Sequence, residues 1–491
     1  MFKKILVANR GEIAVRVLRA CRELGITGVA VYSEADRAAL HVRKADEAYP
    51  IGPAPAVESY LRGDRVLEVA RKCGAEAIHP GYGFLAENAE FAEQCRASGV
   101  IFIGPPPEAM RVLGDKISAL QTARRVRVAT LPGSDGAVGD LVTARRLAAQ
   151  IGYPVMLKAS AGGGGKGLRL IQSETDLEQS WSITQTEAVA SFKDPTVFLE
   201  KCLHHPRHIE IQVLADHYGN VLYFPERECS LQRRHQKIVE ESPSPVVDAA
   251  LREKMGEAAA RVAAEAGYQN AGTVEFLVDI NRNFYFLEMN TRLQVEHPAT
   301  EMVTGQDLVH LQIRVAAGEK LTHRQDQIQL HGHAIECRIY AEDPENNFAP
   351  SPGRIDALEE PAGPGVRVDT GVYPGANIPI YYDPIISKLI VWDRTRQEAL
   401  ARSLRALAEY RITGIRTSIP VFQTLLTHRE IVAGNLHTGL VAEILARPRA
   451  AQEDRWDDAL IAAALMYRRS EGRRFEKPAS RWRYAFWENE Q

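Results

Sequence analysis

Cysteine is scarce in this chain: there are six in 491 residues, and none sits in a CxxC pair. That scatter excludes a disulfide framework and a zinc site of the usual spacing, and it suits a reducing cytoplasm. Long apolar runs are also missing, since none approaches the roughly 20 residues that a bilayer-spanning helix requires. The opening Met1-Phe2-Lys3-Lys4-Ile5 leads directly into an apolar strand. It has neither the apolar core of a secretion signal nor the Arg/Ser-rich helix of a transit peptide. Charge of one sign is not in excess: a net charge of −3 argues against a general nucleic-acid or membrane-surface binder. What remains is an ordinary globular composition, 45% hydrophobic and 25% charged, long enough for two to four packed units.

The N-terminal part alternates strands and helices. Residues 4–8 read as a buried strand. A helix over 12–24 follows, with Ile13, Val17, Leu18 and Cys21 on one face. Strands are expected at 28–32, 75–79 and 100–104, and a helix from about Asn88. This spacing predicts a parallel, doubly wound α/β unit over 1–115. A second unit is expected over 131–203, after the turn Leu131-Pro132-Gly133-Ser134, and a larger α+β unit over 204–446. Residues 447–491 hold three of the five tryptophans, Trp456, Trp482 and Trp487, and read as an appendage with a short amphipathic helix at 457–469.

The second unit carries Ala161-Gly162-Gly163-Gly164-Gly165-Lys166-Gly167 just after a strand ending in Lys158. Glycines let backbone N–H groups approach phosphate oxygens, and Lys166 adds charge. A Walker loop does not fit, because Lys166 is followed by glycine and not by Lys plus Ser/Thr in register. A dinucleotide loop needs a helix next, whereas Leu168-Arg169-Leu170-Ile171 looks like a strand. A loop folding over a triphosphate and a mobile turn without a ligand both stay open.

Two strands flank the turn Ile280-Asn281-Arg282-Asn283. Symmetric pairing about Asn281-Arg282 sets Glu275 directly opposite Glu288, with β-carbons about 5 Å apart, whereas a register one residue different leaves both glutamates solvated. Two opposed carboxylates in apolar surroundings are unstable alone, and a divalent cation with oxygen ligands resolves this. Alternate residues then place Glu288, Asn290, Arg292, Gln294 and Glu296 on one face if the strand continues straight. At that extension Glu288 and Glu296 lie about 26 Å apart. The metal is therefore expected near Glu288 and Asn290, with Arg292 and Glu296 serving a different ligand, an anion beyond the γ-phosphate.

Several segments then match a known pattern in unbroken order over 1–446. They are Ala8-Asn9-Arg10-Gly11-Glu12-Ile13-Ala14, His79-Pro80-Gly81-Tyr82-Gly83-Phe84-Leu85, Gly114-Asp115-Lys116, and Glu226-Arg227-Glu228-Cys229-Ser230 with Gln232-Arg233-Arg234-His235-Gln236-Lys237. Glu288-Met289-Asn290-Thr291-Arg292, Gln294-Val295-Glu296-His297-Pro298 and Glu336-Cys337-Arg338 complete the series. The chain resembles the biotin carboxylase family. The resemblance implies a pre-ATP-grasp doubly wound α/β domain, an ATP-grasp lid and body, and a C-terminal biotin carboxylase domain. It implies that Lys116, Lys158, Gly164, Gly165, Lys166, Gly167, Glu200, Lys201, Leu203, His208, Gln232, His235 and Leu277 hold ATP together with Glu275 and Glu288. Glu275, Glu288 and Asn290 would hold Mg²⁺ and a second Mg²⁺ or Mn²⁺. Lys237, Arg292, Gln294 and Val295 would hold bicarbonate, with Glu296 its base. Arg338 would stabilise the biotin enolate, and Tyr82, Gly83 and Phe84 would border the biotin ring.

No methionine is followed by lysine anywhere in the chain, and no carboxyltransferase region is recognisable. The resemblance therefore implies biotin on a separate biotin carboxyl carrier protein, a separate carboxyltransferase subunit, and a cytoplasmic homodimer with Arg16, Arg19 and Glu23 near its interface. Tail aromatics at 479–487 are expected to dock on a partner. Tyr340-Ala341-Glu342-Asp343 and Arg367-Val368-Asp369-Thr370-Gly371 lean toward pyruvate or acyl-CoA carboxylase chains over minimal acetyl-CoA ones. Val126-Arg127-Val128 departs from the family's small Ala-Gly turn, and Leu168 stands where Met is common beside adenine. Two other readings compete: a carbamoyl-phosphate-forming ATP-grasp ligase, and a non-catalytic nucleotide-binding subunit.

Overall fold

In the computed structural model, which describes residues 1–160 and 167–446, the N-terminal alternation folds as a parallel sheet. Its strands are β1 (Lys4–Val7), β2 (Thr27–Ser33), β3 (Glu47–Gly52), β4 (Ala77–His79) and β5 (Ile101–Phe102), in the order β3-β2-β1-β4-β5. A parallel sheet is covered on both faces, so its central strand β1 is buried on both sides from Ile5 to Val7. Ile5 and Val7 of β1 pack with Ile13, Val17, Leu18 and Cys21 of the helix Gly11–Glu23. Leu6 faces the other way, onto Val66, Leu67 and Ala70 of the helix Gly63–Cys73. The expected α/β unit is present. β3 and the helix Gly63–Cys73 escaped the sequence reading, because β3 contains Pro50 and buries only Ile51 fully.

A small antiparallel sheet follows, with β6 (Val155–Ala159) between β7 (Leu168–Ile171) and β8 (Val197–Lys201). Leu177 and Trp181 of the helix Glu174–Phe192, with Ala144 and Ala148 of the helix Leu141–Ile151, cover one face. Because the glycine loop connects two paired strands, the dinucleotide-loop reading is excluded. Gly164, Gly165 and Lys166 lie outside the described residues, as do 447–491 and the docking segment expected there.

The body is one nine-stranded sheet. It contains β9 (Arg207–Ala215), β10 (Val221–Tyr223), β11 (Arg227–Arg233), β12 (Gln236–Ser242), β13 (Asn270–Val278), β14 (Phe284–Asn290) and β15 (His333–Tyr340). Its order is β14-β13-β9-β11-β12-β15, then the strands Ile385–Asp393 and Val366–Thr370, with β10 paired to β9. Apolar residues of β9 and β13, including Ile209, Ile211, Val274 and Phe276, pack under the helix Ala249–Glu265, so the polar residues between them face the other way. Met1–Ala442 forms one unit, and a second begins at Glu443. Among the described residues no helix is long and apolar enough to cross a membrane.

Arg16 is buried and ion-paired within its own chain, to Glu301 at 3.0 Å and Asp307 at 2.7 Å. Arg19 and Glu23 remain exposed on the same helix. Arg127 adopts the left-handed conformation, φ 57°, so the turn keeps a backbone suited to glycine despite its large side chain.

Candidate functional site

The β13–β14 hairpin does place Glu275 opposite Glu288, by a route the sequence hides. Next to the turn the register is shifted, with Phe276 opposite Phe286, and symmetric pairing about Asn281-Arg282 fails there. The Asp279 carboxylate organises that turn, accepting from the backbone N–H groups of Asn281 and Asn283. A bulge between Phe276 and Glu275 then restores the register that opposes the two glutamates. Glu275 accepts from Lys237 Nζ at 2.8 Å, Asn290 Nδ2 at 2.9 Å and Gln294 Nε2 at 3.0 Å, and His208 Nε2 lies 2.9 Å from it. Glu288 pairs with Lys116 Nζ.

The straight polar strand does not exist. β14 ends at Asn290, and the chain bends through 291–296 into the helix His297–Thr304. Glu296 is consequently folded back: Lys237 Nζ donates to it at 2.7 Å while also donating to Glu275. One ammonium group bridges two carboxylates that a straight strand would have kept far apart. The long separation expected of an extended chain therefore does not hold, because the chain turns after Asn290 into a helix with Pro298 in its first turn.

A cleft of about 680 Å³ gathers most of the expected residues: Lys116, Lys158, His208, Gln232, His235, Lys237, Glu275, Glu288, Asn290, Arg292, Gln294, Val295 and Arg338. His235 reaches it from a two-residue hairpin between Arg233 and Gln236, where Arg234 and His235 are both left-handed, with φ 51° and 65°. A second cavity of about 470 Å³ is lined by Tyr82, Gly83 and Phe84 together with Asn9, Glu12 and Tyr382. Arg292, Val295, Arg338, Tyr340 and Asp383 line both. Glu200, Lys201, Leu203 and Leu277 do not line the cleft. Glu200 touches it through its ion pair with Lys158, and Leu277 lies directly opposite His208. The Lys201 ammonium is turned away, donating to the carbonyls of Gly152 at 2.7 Å and Tyr153 at 3.2 Å. Leu168 lines the cleft, and Gly167, φ 68°, accepts from the Ala159 N–H at the base of the loop.

Burial alone would push the Glu275 and Glu296 carboxyls up. Lys237 and His208 more than offset this at Glu275, and Lys237, Arg338 and Arg227 do so at Glu296, so both stay well below the usual carboxylate range. Lys237 is buried too, but Glu210, Glu275 and Glu296 hold it well above an ordinary lysine and keep it charged. Burial lowers His208, but the Glu275 and Glu210 carboxylates together more than offset this and raise it. The site is thus a packed alternation of charges in a low-dielectric setting, where a bound anion or cation would compete with existing ion pairs. His208, Glu210 and Glu275 also offer ligand atoms within 4.8 Å of one another.

Four functional neighbours were missed. Glu210 accepts from Lys237 at 2.6 Å. His208, Glu210 and Gln212 alternate along buried β9, the same polar period that singled out the region after Glu288. Glu87 accepts from Arg292 Nε at 2.9 Å and from the Thr291 N–H, and nothing in its local sequence signals this. Glu12 accepts from the Tyr82 hydroxyl, and Glu240 from Arg338 Nε at 2.6 Å.

Family models match the chain in three stretches: "Biotin carboxylase, N-terminal domain" over 1–110, "Carbamoyl-phosphate synthase L chain, ATP binding domain" over 115–324, and "Biotin carboxylase C-terminal domain" over 336–443. The chain is 57% identical over 444 residues to a pyruvate carboxylase subunit of Methanothermobacter thermautotrophicus, covering 90% of each. It is 54% identical over 439 residues to biotin carboxylase 1 of Bacillus subtilis, covering 89% of this chain and 98% of that one. Among solved structures it resembles the biotin carboxylase domain dimer of the Hydrogenobacter thermophilus 2-oxoglutarate carboxylase, in complex with MgADP, ADP and bicarbonate. The TM-score is 0.88 at 48% identity, covering 91% of this chain and all of that one.

Proposed function

The chain belongs to the biotin carboxylase family of ATP-grasp enzymes and catalyses the ATP- and bicarbonate-dependent carboxylation of biotin, the first half-reaction of a biotin-dependent carboxylase; from that premise we propose how its residues divide the work. The observation that carries the assignment is the position of Arg292 and Arg338, which line both cavities while Glu296 is tied to Arg338 beneath them. We assign the larger cleft to nucleotide and bicarbonate and the smaller cavity to biotin.

Lys116, Lys158, His208, Gln232 and His235 hold the nucleotide, with Glu200, Lys201, Leu203 and Leu277 at its far end. Lys201 contributes through its backbone, since its ammonium is occupied. Gly164, Gly165, Lys166 and Gly167 cover the phosphates as part of a lid over 131–203, excluding water from a labile intermediate. Glu275, Glu288 and Asn290 present the oxygen-rich donor set that Mg²⁺ prefers, and the opposed carboxylates fit it. Bound there, Mg²⁺, with a second Mg²⁺ or Mn²⁺, draws charge off the γ-phosphoryl oxygens.

Lys237, Arg292, Gln294 and Val295 hold bicarbonate. Lys237 donates to Glu296, so a bicarbonate held by the same ammonium draws on its charge and meets Glu296 as the base. The deprotonated oxygen attacks the γ-phosphorus, ADP leaves, and carboxyphosphate forms. Its collapse yields CO₂ and phosphate. Phosphate takes the ureido proton, and Arg338 stabilises the enolate while Tyr82, Gly83 and Phe84 border the ring.

We further propose that biotin arrives on a separate biotin carboxyl carrier protein and leaves to a carboxyltransferase subunit. The enzyme works as a cytoplasmic homodimer. Six free, scattered cysteines suit a reducing compartment, and the related 2-oxoglutarate carboxylase domain is a dimer. The test is bicarbonate-dependent ATP hydrolysis with and without free biotin. Stimulation by biotin is expected. Turnover that biotin leaves unchanged would point to carbamoyl-phosphate chemistry, and absent turnover to a nucleotide-binding subunit.

A further inference from the structure

The opposed-glutamate motif occurs a second time in the same sheet. β12 and β15 set Glu240 directly opposite Glu336. Both are fully buried, and neither lines the two cavities described above. Glu240 Oε2 and both oxygens of Glu336 have no hydrogen-bond partner. The remaining oxygen, Glu240 Oε1, accepts from Arg338 Nε at 2.6 Å, and the same guanidinium gives Nη2 to Glu296 at 2.9 Å.

The surroundings differ from those of Glu275 and Glu288. That first pair opens into the cleft and is served by Lys116 and Lys237. The second pair is closed beneath the helix His297–Thr304, whose Ala299 and Val303 pack on Ala334, two residues along the same face from Glu336. The cations facing the pair are already engaged. Arg338 is shared with Glu296, and Lys237 with Glu210, Glu275 and Glu296. Lys388, opposite Arg338 in the next strand, donates to the Val295 carbonyl at 2.8 Å and lies 3.3 Å from Glu12. Glu296 adds a further negative charge nearby. Two opposed carboxylates without a cation of their own cannot both stay ionised in such a place. Burial pushes both carboxyls up, and Arg338 and Lys388 offset only part of it.

We propose that Glu336 is a positioning residue for biotin carboxylation: it carries a proton that it donates to Glu240 Oε2, so that Glu240 remains the carboxylate that aims Arg338 between Glu296 and the biotin cavity. The proposal rests on the role given to Arg338 above. Two opposed buried carboxyls without a cation of their own hold one proton between them and give it up only as pH rises above the ordinary carboxylate range. Above that point two bare carboxylates compete for one guanidinium, and biotin-dependent turnover falls on the alkaline side.

The experiment compares E336Q, E336L and R338Q in biotin-dependent carboxylation and in bicarbonate-dependent ATP hydrolysis without biotin, each across pH. Glutamine keeps a neutral donor, so E336Q retains biotin-dependent kcat within about twofold at pH 7 and loses the alkaline fall. Leucine removes the donor, so E336L loses at least about tenfold in biotin-dependent kcat while its biotin-independent hydrolysis stays within about threefold. If R338Q leaves biotin-dependent turnover intact, the role of Arg338 fails. If R338Q abolishes it but E336Q is as impaired as E336L, or E336L is unimpaired, the shared proton is refuted. Should E336L not fold, E336Q decides alone: a loss above about tenfold, or an unchanged alkaline fall, overturns the proposal.

Discussion

Removing the Lys237 ammonium is the sharpest perturbation this site offers. Its Nζ donates to Glu210 at 2.6 Å, Glu296 at 2.7 Å and Glu275 at 2.8 Å, and all three carboxylates are buried. Lys237→Met keeps the aliphatic stem and leaves those carboxylates with one cation fewer. Breaking a buried, hydrogen-bonded ion pair costs about 3–5 kcal/mol, chiefly from the charge left behind. The loss should therefore be largest near pH 8 and shrink as pH falls and the orphaned carboxyls take up protons. The sign follows from the wild type: Glu275 and Glu296 lie well below the ordinary range, so their stabilisation is present above it and is lost as pH drops toward their folded values. Catalysis should fall by about 10²–10³ in kcat, the usual cost of deleting one preorganised donor to a developing anion. The acid limb of kcat/KM for bicarbonate, which reports the free enzyme's base, should move to higher pH because Glu296 has lost a cation. Denaturant unfolding at pH 5.5 and pH 8, with a bicarbonate-dependent ATPase profile, measures all three. A variant destabilised equally at both pH values, with an unmoved acid limb, would show that Lys237 does not set the ionisation of Glu296.

Glu288→Gln removes one of the two opposed carboxylates and should raise the Mg²⁺ concentration for half-maximal ATP hydrolysis at least about tenfold, as expected when a hard cation loses an anionic ligand; an unchanged Mg²⁺ titration would place the metal elsewhere. Arg127→Gly relieves a left-handed non-glycine residue and should leave the protein as stable or up to about 1 kcal/mol more stable, read as a shift in denaturation midpoint. A loss of stability there would mean that the Arg127 side chain makes a contact worth more than its backbone strain.

Local pattern alone determined a good deal about this protein. Apolar runs spaced by amphipathic helices specified the parallel N-terminal unit, because burial on both faces of such a sheet leaves a continuous hydrophobic signature. The lysine-ending strand, the glycine loop and the strand after it argued against a dinucleotide turn, since periodicity is a property of neighbours in the chain. Ordered motifs from Ala8 to Arg338 carried the family. Tertiary structure decided the rest. The opposition of Glu275 and Glu288 depended on a bulge that compensates a shifted turn, and a bulge leaves no mark on hydrophobic alternation. Glu296 reached Lys237 only because the chain turns after Asn290, bringing together groups on β12, β13 and the start of a helix. Glu87, Glu210 and Glu240 became partners of Arg292, Lys237 and Arg338 through contacts distant in the chain, and Lys201 was drawn to two backbone carbonyls. Residue types announce which chemistry is available, but which charge neutralises which is a question of distance in a folded, low-dielectric interior, and sequence spacing does not measure that distance.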